Sequence, residues 1–300
     1  MAFDFNKLSP WKDIQDVTID GQDMVRIPKF YVKVRENRSG HKCWWVSPTL
    51  EEGFHIHPAF MHDGKELDQF YIGKYEAFNT SQNMAGSQKD RTPWVNINFI
   101  NAKLYSEYRN HDEFTGWHLQ NYYERSAISL LCMLELGTPD AQSKLGNGRV
   151  STNDATSTGA TGTIWRGINE IWGNTWEFCD GIRTTSDGKT LLVQDNQGFG
   201  KFINTGVKLP SANSVGINTM QDAVGDEFDL SDMFIPKDVV GASADSVFRD
   251  IYYTGANNDV YILVYGGGWN TSNNAGLFCF YTRYNETDYG VDTSFRLAKW

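Results

Sequence analysis

Six histidines and four cysteines are the first places to look for chemistry in this 300-residue chain. His55 and His57 lie two residues apart, so on an extended strand their imidazoles share a face, and with His62 they would offer three nitrogens to a metal ion. Against that stands the ordinary fate of strand-face histidines in a turn-rich region, which are hydrogen-bonded or solvated, and no metal is assigned on this spacing. Cys43, Cys132, Cys179 and Cys279 are far apart and form no Cys-x-x-Cys or Cys/His ligand pattern. They read as reduced core residues, a disulfide being the lesser alternative. Glu170 with Glu177, and Asp288 with Asp292, are carboxylate pairs of the type used in glycoside hydrolysis. With 37 acidic residues in the chain, such pairs also arise by chance. Gly266-Gly267-Gly268 leads into Trp269-Asn270 and not into a helix, so it is not a phosphate loop, and no Gly-x-Ser-x-Gly elbow occurs. The residues spell no catalytic constellation.

The segment from Tyr265 to Trp300 is unusual in another way. Of the 25 residues Trp269–Thr293, 14 are Asn, Thr, Ser, Tyr or Asp, with no Lys, one Arg (Arg283) and one Glu (Glu286). Solvated faces usually lean on Lys and Glu, whereas rings that order cheaply, mixed with short adaptable polar groups, characterise a binding face. Trp269, Asn270, Thr271, Asn273, Tyr281, Tyr284, Asn285, Asp288, Tyr289 and Asp292 are therefore the expected ligand-binding residues. Leu277, Phe278, Val291, Phe295, Arg296 and Leu297 are expected to face inward and hold the backbone. On this division, replacing Tyr281, Tyr284 and Tyr289 by Ala should abolish binding and leave the melting temperature nearly unchanged. The competing reading is a polar hairpin with no partner.

The elements that must position this segment are partly legible. Residues 24–34 read as a half-buried strand, aliphatic or aromatic residues alternating with basic ones from Phe30 onward, residues 36–40 as a turn, and Cys43–Val46 as the returning strand; a further strand is read at 69–77. Asn98 caps a helix over 96–109 with Phe99, Ala102, Leu104, Tyr105 and Tyr108 on one apolar face. A stronger helix is predicted from Trp117 to Leu136, stopped by Gly137-Thr138-Pro139. Residues 146–162 read as a long surface loop, and 182–264 as short strands and turns. One α+β domain results, two helices set against many short strands and long loops. Residues 1–23 are set apart as an assembly or oligomer contact, residues 24–300 as the domain.

Ten Trp and 14 % aromatic content need a large core, and 21 % charged residues argue against disorder. A net charge of −10 opposes nucleic acid and anionic membrane surfaces as partners. The first residues show no secretory signal pattern, and no window has the apolar length of a membrane span.

At Gly167–Asp180, GINEIWGNTWEFCD, the sequence resembles the signature of the formylglycine-generating-enzyme branch of the C-type lectin fold. Met24–Pro28 is similar to that branch's opening strand, Pro93–Asn96 to its helix entry, and Gly266–Trp269 with Ser294–Leu297 to its closing motif. In that order the motifs imply a C-type-lectin-like fold. Gly173, Asn174, Trp176 and Glu177 form the signature loop, where glycine allows a turn and the polar side chains tie neighbouring loops. The branch's copper site uses two cysteines after the closing glycines, because soft thiolates hold Cu(I). Here those positions are Thr271 and Gly276, which supply no thiolate. Related iron-dependent sulfoxide synthases use a helical histidine cluster, and the six histidines here do not reproduce it. An oxidase of either type remains the alternative to a binder.

Trp44–Thr49, Gly53–Phe60, Gly116–Gly137 and Trp269–Phe278 are similar to tail and receptor-binding proteins of phages and prophages that use this fold. The resemblance implies a non-enzymatic module of the virion tail tip or fibre, made in a bacterial cytoplasm. Its partners would be a host surface protein or glycan and other tail subunits, with a homotrimer among the implied forms and no membrane insertion. Some members are variable proteins of diversity-generating retroelements, in which Asn codons of a C-terminal repeat mutate at adenines; the absence of Lys, Gln and Met from 269–293 fits that process. No cofactor is implied; the fold permits a structural calcium ion, but no motif spells its site. A purely structural tail protein is a further alternative.

Overall fold

The computed structural model describes residues 3–38 and 42–300, and its helices begin where the sequence supplies caps. Helix α1, Phe99–Glu107, opens on Asn98, whose side chain accepts a hydrogen bond from the Asn101 backbone N–H at 2.9 Å. Helix α2, Tyr122–Leu136, opens on Asn121 in a reciprocal capping box with Glu124 and closes on Gly137 at φ +68°. The box corrects the expected start at Trp117. With the N-terminal donors satisfied at Asn121, the preceding residues Trp117–Leu119 form a strand paired with Leu297–Lys299. On α1 the buried line is narrower than expected, Phe99, Ala102 and Ser106, while Leu104 and Tyr108 are exposed. A one-turn helix at Gln142–Leu145 follows α2.

The strands, numbered along the chain, begin with β1 (Gln15–Ile19), β2 (Gln22–Pro28), β3 (Tyr31–Glu36), β4 (Lys42–Ser47), β5 (His55–Ile56), β6 (Gln69–Gly73) and β7 (Trp117–Leu119). After α2 come β8 (Trp176–Thr184), β9 (Thr190–Gln194), β10 (Phe202–Lys208), β11 (Asn213–Met220) and β12 (Pro236–Val240). The last are β13 (Ile251–Thr254), β14 (Ile262–Tyr265), β15 (Phe280–Tyr284), β16 (Thr293–Phe295) and β17 (Leu297–Lys299). The single strand expected over 24–34 is two, broken at Lys29-Phe30. The turn expected at 36–40 lies partly outside the described residues.

One sheet runs β1-β2-β6-β17-β7 and so sets the beginning of the domain beside its end. A second runs β10-β9-β8-β14-β15-β13-β11-β12, with β16 parallel to β8, and a third is β4-β3-β5. The expected boundary after residue 23 falls inside β2. Trp11 is buried, its indole N–H donates to the Leu131 carbonyl in α2 at 2.9 Å, and β1 pairs along its length with β2. Residues 11–23 are thus built into the domain.

Register in the second sheet lines up two rows of side chains, one residue apart. Tyr252, Phe280, Tyr265, Glu177 and Ser294 are Cα partners from β13 through β15, β14 and β8 to β16. Tyr253, Tyr281, Val264, Phe178 and Phe295 form the neighbouring row. Because successive residues point to opposite faces of a sheet, the first row enters one face's core and the second the other's. Tyr122 of α2 meets Phe280, and Phe99 of α1 meets Phe178. The closing motif meets the signature strand directly, β16 lying parallel to β8, and the class observed is α+β, as expected. Among the described residues no helix is long and apolar enough to cross a membrane.

Candidate ligand-binding cleft

Behind the display segment lies a buried polar crossing. The Arg296 guanidinium, 2 % exposed, donates to Glu177 at 2.6 Å and to the carbonyls of Gly73, Asn169 and Glu170 at 3.0 Å. Tyr265 donates its hydroxyl to the same Glu177 carboxylate. One side chain from the closing motif thus fixes the signature strand β8, strand β6 and the first residues of the signature, Asn169 and Glu170. Burial outranks every other influence on Arg296 and favours its neutral form, but the adjacent Glu177 carboxylate holds it charged.

The signature loop next to this crossing positions the display loop. Gly173 at φ +79° and Asn174 at φ +65° turn the chain through the left-handed region, which glycine and asparagine tolerate best. The Asn174 amide donates to Glu76 at 2.5 Å and its side-chain oxygen accepts from the Thr156 N–H at 2.8 Å. Burial raises the Glu76 carboxyl to about 8. With the turn held, the Gly173 N–H donates to the Gly267 carbonyl at 3.0 Å and the Trp269 N–H to the Asn174 carbonyl at 3.0 Å. From the long 146–162 loop, Thr152 donates to the Trp269 carbonyl at 2.9 Å. In the reverse direction, the Ser272 N–H donates to the Val150 carbonyl at 2.7 Å. Backbone hydrogen bonds therefore fix most of residues 267–272, and the Thr271 hydroxyl adds one side-chain tie by accepting from the Gly268 N–H at 2.9 Å.

Above this frame is a cleft of about 290 Å³ lined by Trp176, Tyr253, Val264, Asn270, Thr271, Tyr281, Arg283, Tyr284 and Asp292. Its floor is the exposed end of the second row. Tyr281 packs against Trp176, Tyr253 and Tyr284, with ring centroids 5.3, 5.1 and 5.7 Å apart. Strand parity would put Tyr281 and Tyr284 on opposite faces. The register shift between Ile262 and Val264 sets three residues of β15 beside two of β14, a bulge that turns both tyrosines to one side. Burial raises the Tyr281 phenol to about 12 and raises that of Tyr284, so both remain neutral donors near pH 7. At the rim the Asn270 amide donates to Asp292 Oδ2 at 2.9 Å. The Arg283 guanidinium lies 6.0 Å from the Tyr281 ring centre. The cleft thus offers aromatic faces, neutral hydroxyls and one charge of each sign.

Five of the ten expected ligand-binding residues meet here: Asn270, Thr271, Tyr281, Tyr284 and Asp292. Trp269 stands outside, its indole N–H buried with no acceptor among the described residues. Asn273 accepts from Asn147 at 3.0 Å. Asn285 and Asp288 close a turn, the Asn285 oxygen accepting from Thr287 and Asp288, and Asp288 accepting from the Asn285 N–H at 2.9 Å. Tyr289 is exposed, apart from the cleft. Tyr281 and Tyr284 are half-buried, so the expectation that their loss would spare the melting temperature is corrected: each ring is scaffold and surface together.

Of the six residues expected inside, Leu277, Phe278, Phe295, Arg296 and Leu297 are buried, and Val291 is 60 % exposed. Val291 has the parity of Phe295, but β16 begins only at Thr293, and the preceding turn sends Val291 outward. Trp176, Tyr253, Val264 and Arg283 were absent from the expected contact set. Trp176 was read only as signature scaffold and Arg283 only as the segment's single Arg. Tyr253 and Val264 carry no local signal, since only the pairing of β13, β15 and β14 brings them to the cleft.

Comparison with known proteins gives little to add to this geometry. No protein-family model matches the chain, and no curated protein matches it. Among the solved structures that resemble it, two do so over most of their length. Treponema denticola variable protein 1 has a TM-score of 0.43 and 14 % identity, over 95 % of this chain and 98 % of that one. PvdO from Pseudomonas aeruginosa has a TM-score of 0.46 and 10 % identity, over 95 % of this chain and 97 % of that one. At such distances the site must be argued from its own residues.

The other chemical candidates resolve as follows. His57 is buried, its Nδ1 accepting from the Ala59 N–H at 3.2 Å, and burial lowers it to about 3. His62 stacks on Trp300 at 3.8 Å between ring centres. His55, His57 and His62 therefore do not assemble as a ligand set. Cys132, Cys179 and Cys279 are buried thiols in no disulfide. Cys279 is buried within residues 265–300, its thiol donating to the Asn274 carbonyl at 3.0 Å, and burial raises its pKa well above the usual thiol range. Glu170 and Glu177 are both committed, the former accepting from Gly159 at 3.0 Å and the latter from Arg296. His41 lies outside the described residues.

Proposed function

We propose that this protein is a non-enzymatic ligand-binding module whose contact surface is the Tyr281 cleft and its rim. The single observation that carries the reading is the division of labour within 265–300. The backbone is fixed by main-chain hydrogen bonds and by the Arg296 crossing, while aromatic and short polar side chains line a cleft at the small end of the usual ligand-pocket range. Tyrosine and tryptophan faces supply contact area at low entropic cost, and Asn270, Thr271 and Asp292 supply direction. A surface whose backbone is held largely by main-chain hydrogen bonds also suits the adenine-directed diversification that its composition suggests.

The finer reading is a receptor-binding module of a phage or prophage tail, acting at the tail tip or fibre on a host surface protein or glycan and seated on other tail subunits, as a homotrimer. It rests on the resemblance of the quoted segments. The oxidase alternative lacks its ligands, because Thr271 and Gly276 stand at the thiolate positions.

The test is binding of purified chain to intact bacterial cells, with and without protease or periodate treatment to separate protein from glycan receptors. Wild type should bind saturably to at least one strain, and Tyr281→Ala and Asn270→Ala should reduce affinity roughly tenfold or more, the loss of one anchor contact. Equal binding by wild type and both variants would sink the assignment of the cleft. Stoichiometric copper or iron, with oxidation of a cysteine substrate, would favour the oxidase.

A further inference from the structure

The histidine that failed to find its expected partners has others. His55 on β5 places Nε2 2.7 Å from Asp232 Oδ2, across 177 positions of sequence. Asp232 ends the 3-10 turn Leu230–Asp232, which Asp229 caps. The extended cap residue Asp229 and the last residue of the turn, Asp232, bring both carboxylates to the imidazole. One ligand atom from each of His55, Asp229 and Asp232 lies within 4.8 Å of the others.

Two features separate this group from an ordinary surface ion pair. The Asp232 side chain is 1 % exposed, and its second oxygen, Oδ1, is buried without a hydrogen-bond donor among the described residues. A carboxylate oxygen in that state costs free energy unless a proton donor or a cation supplies its partner. The group is also held in place from behind. Asp229 Oδ1 accepts from the Ser231 N–H at 2.8 Å and from its hydroxyl at 2.5 Å, and no hydrogen bond among the described residues engages its other oxygen. Trp44 on β4 donates its indole N–H to the Ser231 carbonyl at 3.3 Å, clasping the turn to the sheet that carries His55. Lys42, a cation whose charge reaches Asp232, spends its ammonium on the carbonyls of Met220 and Gln221.

We propose that His55, Asp229 and Asp232 form a binding site for a divalent transition-metal ion, zinc by its donor set. One imidazole nitrogen with two carboxylates suits zinc better than calcium, which takes six to eight oxygens, and the pair of negative charges matches a dication. The ion would replace the His55–Asp232 hydrogen bond, give Asp232 Oδ1 a counter-charge and tie β5 to a turn far along the chain. Its role is to brace the sheet formed by β3, β4 and β5 against the 228–232 segment. The site shares no residue with the Tyr281 cleft and stands or falls apart from it.

The experiment is calorimetric titration of zinc, and separately of calcium, into tag-free full-length protein stripped with EDTA. One equivalent of zinc should bind saturably and raise Tm by a few degrees, as any ligand selective for the folded state does. Calcium should not bind. His55→Gln and Asp229→Asn should each abolish the saturable phase, and His62→Gln should retain it. Both decisive side chains are at least partly exposed; if circular dichroism shows one variant unfolded, the other decides. No saturable zinc binding to wild type, or binding that survives both substitutions, would overturn the proposal and leave His55–Asp232 an ion pair only.

Discussion

Phe280 and Tyr281 are neighbours in sequence and opposites in duty. Phe280 belongs to the row with Tyr265 and Glu177, fully buried and tied to Arg296 through the Glu177 carboxylate. Tyr281 belongs to the row with Val264 and Phe178, which is core under α1 and open where it reaches the cleft. A strand sends alternate residues to alternate faces, so a short segment can be anchored and displayed at once, provided one face is held strongly enough that the other is free to change. Anchoring and exposure here are separated by side-chain parity and not by distance along the chain.

The largest effect should follow from breaking the anchored row. Arg296→Met leaves Glu177 buried without its counter-ion and should cost about 3–5 kcal/mol in chemical denaturation, the usual cost of stranding one member of a buried pair. A loss under about 1 kcal/mol would show that the crossing does not hold the sheet.

On the open row, Tyr281→Ala should cost about 1–2 kcal/mol, since the ring is only half-buried among Trp176, Tyr253 and Tyr284. Tyr281→Phe should recover nearly all of that stability. If Tyr281→Ala costs as much as Arg296→Met, the two rows are not distinct.

A pH profile sharpens the contrast. Asp250 holds the Phe278 N–H at 2.6 Å behind the display segment, and burial raises its carboxyl to about 8. The folded state then keeps a proton that the unfolded chain releases near pH 3.8, so this contribution to stability is full below about pH 3.8 and is lost as pH rises towards 8. Asp250→Asn should flatten the fall in stability between pH 5 and 8 relative to wild type; an unchanged slope would remove Asp250 as its source. Smallest of all, Tyr289→Ala should change stability by less than about 0.5 kcal/mol, because the ring is exposed.

The sequence by itself determined the class and the local chemistry. The cap residue Asn98, the stop at Gly137 and the ordered motifs define an α+β chain with two principal helices, and the composition of 269–293 is that expected of a binding face, whereas the cap at Asn121 emerged only with the structure. These are local properties, set by propensity, capping and side-chain type within a few residues. Tertiary structure alone decided the rest. A bulge turned Tyr281 and Tyr284 to one side, a parallel pairing delivered Tyr253, and a turn before β16 put Val291 in solvent. His55 met Asp232 and not His62 because its strand is short and the 228–232 turn packs against it. Register and long-range packing set these outcomes, and neither has a signature within the span that a sequence pattern can read.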